Sequence, residues 1–300
     1  MPMLILLLGL WLLWTPDLDR AALERTYLAA PTDMVQVMEV KLHVRDSGPP
    51  DAPVVLMLHG FGASLQTWEP WAKDLSSQLR VIRIDLPGSG LSYPDPTGDY
   101  SDHRSIQLIL ALMDQLHLVH FSVVGHSMGG RIAWTLAATH PERVDKLVLV
   151  APDGFASPGE AYGAKPEVPI TLQLMRFTLP KWLLRMNLEP AYAQSAVMTD
   201  ALATRYHDLM LAPGSRQALM ARLQQRVLVD PVPLLQHISA PTLLLWGKQD
   251  AMIPLANAAD YTQAIPHSRL VALDGVGHLP QEEAPEQSLP PLRDFLLQTQ

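Results

Sequence analysis

The 300-residue chain has no cysteine, so disulfides and thiolate chemistry are excluded and the redox compartment is left open. It has no long basic run and carries a formal charge of −8, which argues against nucleic acid as a partner. HExxH, a phosphate-binding P-loop and a helix-opening GxGxxG are all missing. Neither a metal nor a cofactor is therefore indicated. No internal repeat or low-complexity tract is present. What remains is 48% apolar content, enough to fill a sizeable core in one large α/β domain or two small ones.

The long hydrophobic run lies at the start. Met1–Trp14 carries no charge and is dominated by leucine until Thr15, Pro16 and Asp17 end it. As a helix it would be about 21 Å long, shorter than the roughly 30 Å hydrocarbon core of a bilayer. It offers neither a basic n-region nor a clear small-residue cleavage site, so a signal peptide is disfavoured. Residues 1–16 are read as an uncleaved hydrophobic anchor dipping into or marginally crossing a membrane, with Trp11 and Trp14 near the headgroups. The expected location is membrane-associated, at a bacterial inner membrane or its periplasmic side. The alternative is a buried helix covering an apolar patch, with a soluble cytoplasmic location open. Residues 17–34 then form an amphipathic connector.

From residue 35 the pattern is regular. Val35–Val44 predicts an edge strand, Pro53–Leu58 a continuously apolar strand, Leu65–Leu79 a helix and Val81–Ile84 another buried strand. Ser101 is placed to cap a helix whose apolar positions Ile106, Ile109, Leu110, Met113 and Leu116 share one face. Strands follow at Phe121–Val124, Leu147–Val150, Thr242–Trp246 and Leu270–Leu273. Such alternation implies an α/β fold with a mainly parallel sheet covered by helices on both faces. Between Ala151 and about Val232 the alternation stops, and prolines separate short helix-like pieces. Residues 152–232 read as a helical cap inserted after strand 6, with 35–151 and 233–300 as the core. Most apolar cap residues must pack the cap itself; Met175, Trp182 and Met186, together with His126, are candidates for a substrate pocket.

Val124-Gly-His-Ser-Met-Gly-Gly130 follows an apolar run and precedes the helix-like stretch Arg131–Ala138. That is a strand, a tight turn carrying a serine, and a helix. Gly125 and Gly129 remove Cβ atoms that would clash on so sharp a turn. Ser127 is then exposed at the positive end of a helix, where the Met128 N–H can hold a developing oxyanion. Two possible partners follow in order: Asp250 just past the Thr242–Trp246 strand, and His278 in a glycine-flanked loop past Leu270–Leu273. A serine nucleophile needs a base, and the base needs a carboxylate to fix its tautomer. Ser127 is assigned as nucleophile, His278 as base and then acid, and Asp250 as orienting carboxylate. Asp153 is the rival orienter.

His59-Gly-Phe-Gly62, Asp85-Leu-Pro-Gly-Ser-Gly-Leu-Ser92, Gly125–Gly130, Gly247–Asp250 and Gly277-His278 together resemble the α/β-hydrolase superfamily over roughly residues 35–300. Within it the chain resembles anchored bacterial lipases and esterases and the monoacylglycerol lipases. The resemblance implies cofactor-free cleavage of carboxylic esters through an acyl-enzyme, with the Phe61 N–H as second oxyanion donor. His59 is expected to brace its loop and Asp85 the neighbouring turns. The expected substrate is a small lipophilic ester. Three alternatives stay open: a hydrolase cleaving C–C bonds of ring-cleavage products, a cofactor-free perhydrolase, and a non-catalytic receptor for a lipophilic ligand.

Overall fold

The computed structural model describes residues 14–156, 160–164 and 167–298. Among the described residues there are eight strands, β1 (Met34–Val37), β2 (Val40–Ser47), β3 (Val54–Leu58), β4 (Arg80–Ile84), β5 (Phe121–His126), β6 (Val144–Val150), β7 (Thr242–Gly247) and β8 (Ser268–Leu273). They lie in the order β1-β2-β4-β3-β5-β6-β7-β8. β2 is antiparallel to both β1 and β4, and every other pair is parallel. Helices of two turns or more are α1 (Arg20–Tyr27), α2 (Glu69–Leu75), α3 (Asp102–Gln115), α4 (Met128–Thr139), α5 (Lys181–Leu188), α6 (Asp200–Met210), α7 (Ser215–Gln225), α8 (Asn257–Ala264) and α9 (Pro285–Leu297). This is the α/β-hydrolase fold, with its helical cap inserted after β6.

The central strands read as unbroken apolar runs because both sheet faces are covered. Along β3, Leu56 and Leu58 enter a core with Ile109, Phe121, Ile132 and Trp246, whereas Val55 and Met57 enter a second core with Trp68, Trp71, Val148 and Phe295. The strand's period of two sends successive side chains to opposite layers. Burying each large apolar side chain contributes about 1.5–3 kcal/mol relative to leaving it in water.

Two elements depart from the sequence pattern. The edge strand expected over Val35–Val44 is a hairpin, since Met38 turns the chain at φ 49° and Val37 pairs with Val40. The helix expected over Leu65–Leu79 is split into a 3-10 turn, Leu65–Trp68, and α2. Pro70, in the first turn of α2, lacks the N–H that would continue the preceding turn. The cap of α3 is as expected, with Ser101 Oγ accepting the Arg104 N–H at 3.1 Å.

The connector of residues 17–34 is a strap. Asp19 caps α1 by accepting the Ala22 N–H, and Leu23 buries among Leu91, Leu209 and Ala212. Asp17 pairs with Arg216 at 2.6 Å, and Tyr27 Oη donates to Asp208 at 2.8 Å. Trp14 lies 6.2 Å from the Phe177 ring, and the Thr15 N–H donates to Phe177 O. Most of the anchor expected over residues 1–16 lies outside the described residues. Among the described residues no helix is long and apolar enough to cross a membrane.

Removing the α3 cap should be costly. Ser101→Ala is expected to lower the unfolding free energy by about 1 kcal/mol with an unchanged urea m-value. An unchanged denaturation midpoint would show that this cap contributes nothing.

Candidate active site

The serine sits where central strand β5 turns into α4. Its backbone is left-handed, φ 51° and ψ −118°, a conformation that strains a non-glycine residue. The turn is held on three sides: the Ser127 N–H donates to Val150 O at 3.0 Å, and Ser127 O accepts from the Arg131 and Asp153 N–H groups. A Cβ at Gly125 would run into the carbonyl of Gly129, and one at Gly129 into the carbonyls of Leu58 and His59. Each glycine is thus required by nearby backbone, β3 included, and not by the other's Cβ. Met128, first residue of α4, has no backbone acceptor for its N–H.

Asp250 and His278 meet at the carboxyl edges of β7 and β8. His278 Nδ1–H donates to Asp250 Oδ2 at 2.7 Å, and both side chains are buried. Asp250 Oδ1 accepts the Met252 and Ile253 N–H groups, each at 2.8 Å. The carboxylate is therefore fixed before it orients the ring. With Nδ1 carrying the proton, Nε2 is left with the lone pair a base requires. Ser127 Oγ makes no hydrogen bond to His278 in this arrangement; such contacts in ligand-free sites commonly tighten on binding. The two segments are joined through His126, whose Nε2–H donates to His278 O at 2.8 Å and whose ring centroid is 4.6 Å from that of His278.

His126 is wholly buried, and its Nδ1 has no partner. Burial and the nearby His278 hold its pKa well below the ordinary 6.5, against the opposing effect of its bond to His278 O. Gly60 lies against this pair: a Cβ there would stand 2.7 Å from His126 Nδ1 and 3.2 Å from Ser127 Cβ. The loop carrying Phe61 is thus packed on the elbow, and the Phe61 N–H has no backbone acceptor among the described residues. His59 braces this loop. Its Nδ1–H donates to Gly60 O at 2.8 Å while Nε2 accepts the Leu86 N–H at 3.0 Å. Burial lowers its pKa, outweighing Asp85.

Asp85 is also a brace. Its carboxylate accepts from His43 Nδ1 at 2.7 Å, the Leu65 N–H at 2.6 Å and the Leu91 N–H at 2.9 Å. Asp153 is engaged elsewhere, accepting from Arg131 at 2.6 Å and Arg226 at 2.9 Å. It touches the elbow only through its backbone N–H. Of the pocket candidates, His126 is at the elbow and Met175 packs beside the cap cluster of Leu179, Tyr206 and Met210. Trp182 and Met186 stand outward on α5, 66% and 56% exposed. Among the described residues, no group of three or more His, Asp or Glu side chains could hold a metal.

Residues 53–285 match the family described as alpha/beta hydrolase fold, and the chain belongs to that family. It is 32% identical over 250 residues to the dihydrolipoyllysine-residue acetyltransferase component of the acetoin cleaving system of Pseudomonas putida, covering 80% of this chain and 62% of that protein. It is 27% identical over 253 residues to the 2-hydroxy-6-oxononadienedioate/2-hydroxy-6-oxononatrienedioate hydrolase of Cupriavidus pinatubonensis, covering 82% of this chain and 86% of that one. A solved meta-cleavage product hydrolase from Pseudomonas fluorescens IP01 superposes with a TM-score of 0.75 at 23% identity, over 88% of this chain and 98% of that one. The activity is of the serine-hydrolase type general to the family.

These findings correct part of the reading from sequence. The relatives include meta-cleavage product hydrolases, and the narrower likeness to anchored lipases and monoacylglycerol lipases is not shown. The expectation of a small lipophilic ester as partner is corrected by these relatives, one of which is named for a dioate, a doubly acidic compound. The run on which membrane association and a membrane location were expected lies almost wholly outside the described residues; against that expectation, no described helix is long and apolar enough to cross a bilayer, and residues 17–28, which follow the run, are built into the fold.

Buried neutral histidines make stability depend on pH in a stated direction. His126 and His59 bind protons less readily folded than unfolded, so stability is full above about pH 6.5 and falls as the pH drops below it. His126→Asn should reduce the loss of Tm between pH 7.5 and 5.5. Parallel wild-type and variant profiles would contradict this.

Proposed function

We propose that the chain hydrolyses a carbon–carbon bond beside a ketone in a product of aromatic ring cleavage. Ser127 is the nucleophile, His278 the base and then acid, Asp250 the orienting carboxylate, and the N–H groups of Phe61 and Met128 are the oxyanion donors. The observation that carries the chemistry is the 2.7 Å bond from His278 Nδ1 to Asp250, which points the basic nitrogen away from the carboxylate beside a strained serine turn. The choice of bond rests on similarity to hydrolases of 2-hydroxy-6-oxo dienedioates.

His278 Nε2 takes the Ser127 proton as Oγ bonds to the ketone carbon, and the oxyanion is held by the two free N–H groups. The carbon–carbon bond then breaks, with its electron pair passing to the carbon fragment. That fragment is a tolerable leaving group only where a conjugated carbonyl spreads the charge, and it takes the proton from His278. Water, deprotonated by the same imidazole, attacks the acyl-serine ester and releases a carboxylic acid. The net reaction is addition of one water, with no cofactor or metal in any step.

A second reading is hydrolysis of a carboxylic ester by the same acyl-enzyme, favoured by the likeness to a solved enol-lactonase from Burkholderia xenovorans LB400, a lactone being a cyclic ester (TM-score 0.74 at 25% identity, over 88% of this chain and 99% of that one).

A fluorophosphonate should label the wild type and not Ser127→Ala, and kcat should fall by at least about 10⁴-fold in that variant. Labelling that persists in Ser127→Ala removes the nucleophile. Consumption of a 2-hydroxy-6-oxo dienedioate, followed by loss of its absorbance, is expected to exceed p-nitrophenyl acetate turnover in kcat/KM; turnover of the ester alone selects the second reading. Asp250→Asn should lower kcat by about 10⁴-fold, as loss of the orienting acid does in other triads. Asp153→Asn should leave kcat within about tenfold; the reverse ranking would make Asp153 the orienter.

A further inference from the structure

Just past His278 the short helix Pro280–Glu283 carries two adjacent carboxylates that the chemistry above does not use. Each reaches the cap. Glu282 Oε2 accepts the Tyr192 hydroxyl at 2.6 Å and the Tyr206 hydroxyl at 3.1 Å, while Oε1 pairs with Arg205. Glu283 Oε2 accepts the Gly277 N–H at 2.6 Å, and Oε1 accepts the Gln194 N–H at 2.8 Å. One carboxylate thus holds the residue before His278 and the cap together.

The loop backbone joins the same seam. The His278 N–H donates to Ala191 O at 2.7 Å, and a Cβ on Gly277 would stand 2.6 Å from that oxygen and 2.7 Å from Ala193 N. Leu279 buries among Ala191, Tyr192, Met198 and Ala203. Burial, Tyr206 and Glu282 raise the pKa of Tyr192, and burial and Glu282 raise that of Tyr206 against Arg205 and the Tyr192 hydroxyl. Both remain hydroxyl donors at any pH an enzyme meets. Burying an acid, a guanidinium and two phenols is poorly justified by stability alone, because desolvation offsets most of the attraction. It is well justified where one geometry must be selected.

We infer that Glu282 and Glu283 are positioning residues, clamping the cap segment 191–194 and the middle of α6 to the His278 loop so that the cap forms part of the seat of the base. The inference rests on His278 being that base. It follows that the cap is fixed at this end, and that loosening the clamp turns the imidazole away from Ser127 without altering the groups that bind substrate. The effect falls on kcat.

The test uses the full chain with Glu283→Ala, Glu283→Gln and Tyr192→Phe, the last leaving Glu282 still bonded to Tyr206 and Arg205. The measurements are fluorophosphonate labelling rate, p-nitrophenyl acetate kinetics, the pH profile of kcat/KM, and Tm. Glu283→Ala and Tyr192→Phe should lower kcat and labelling rate roughly ten- to a hundredfold, as an ångström-scale misplacement does. KM should stay within about threefold, the acidic limb of the pH profile should move, and Glu283→Gln should recover part of the loss by keeping one acceptor oxygen. Rates within about twofold of wild type per folded molecule, with only Tm lowered, overturn the inference. Should Glu283→Ala not fold, Tyr192→Phe decides. A wild type that is neither labelled nor active overturns the assignment of Ser127 and His278, and this inference with it.

Discussion

The left-handed backbone at Ser127 is the constraint from which the rest of the site follows. A non-glycine residue at φ 51° stores on the order of 1–3 kcal/mol of strain, and it persists because its surroundings leave no alternative. The serine N–H and C=O are both committed to neighbouring chain, Gly125 and Gly129 sit against bare carbonyls, and the strand beneath lies near the middle of a doubly covered sheet. Relaxing the turn would mean moving β3, β5 and α4 together. Rigidity of that kind costs little to maintain once the two cores are packed, and it delivers a half-buried serine hydroxyl at a helix N-terminus.

Two histidine–aspartate pairs in the molecule show why a pair alone is not a site. His43 with Asp85 and His278 with Asp250 have the same bond, Nδ1 to Oδ2, at the same 2.7 Å. Asp85, however, spends its remaining capacity on the Leu65 and Leu91 N–H groups, which fixes two loops, and His43 Nε2 is buried without a partner. Burial pushes the Asp85 pKa up, but the neighbouring His43 with its hydrogen bond, the nearby His59 and the Leu65 N–H outweigh it and hold the pKa below the usual carboxylate range. Asp250 is fixed by its own following turn, and its histidine belongs to the loop held at the elbow. The same chemistry is a brace in one place and a candidate for catalysis in the other, decided by what the second ring nitrogen faces.

Much of this was legible in the residue pattern, for physical reasons. The strands at Pro53–Leu58, Phe121–Val124, Leu147–Val150 and Thr242–Trp246 were visible because a strand covered on both faces must be apolar throughout, and the cap because alternation stopped where it is inserted. The pairing of His278 with Asp250 could be anticipated from strand ends, since those edges converge. What local pattern could not show was contact between distant segments. Nothing around residue 20 announces that α1 packs against α6, and nothing in Glu282-Glu283 distinguishes a clamp from a solvated helix end. The turn at Met38 escaped because a methionine rarely takes a positive φ. Trp182 and Met186 looked like lining residues by type alone, and their exposure on α5 is a matter of helix rotation that composition does not encode.

The strap formed by α1 has a consequence for how the molecule is assembled. Its ion pair from Asp17 to Arg216 spans 199 positions, and the Tyr27–Asp208 bond spans 181. Loop closure on that scale is entropically slow, and such non-local pairings retard folding. During synthesis the strap leaves the ribosome well before its docking partners Asp208 and Arg216, which lie 181 and 199 positions further along the chain. Until then Leu23 lacks Leu209 and Ala212, so a nascent chain of this protein carries a partly uncovered apolar strip that chaperones would be expected to hold.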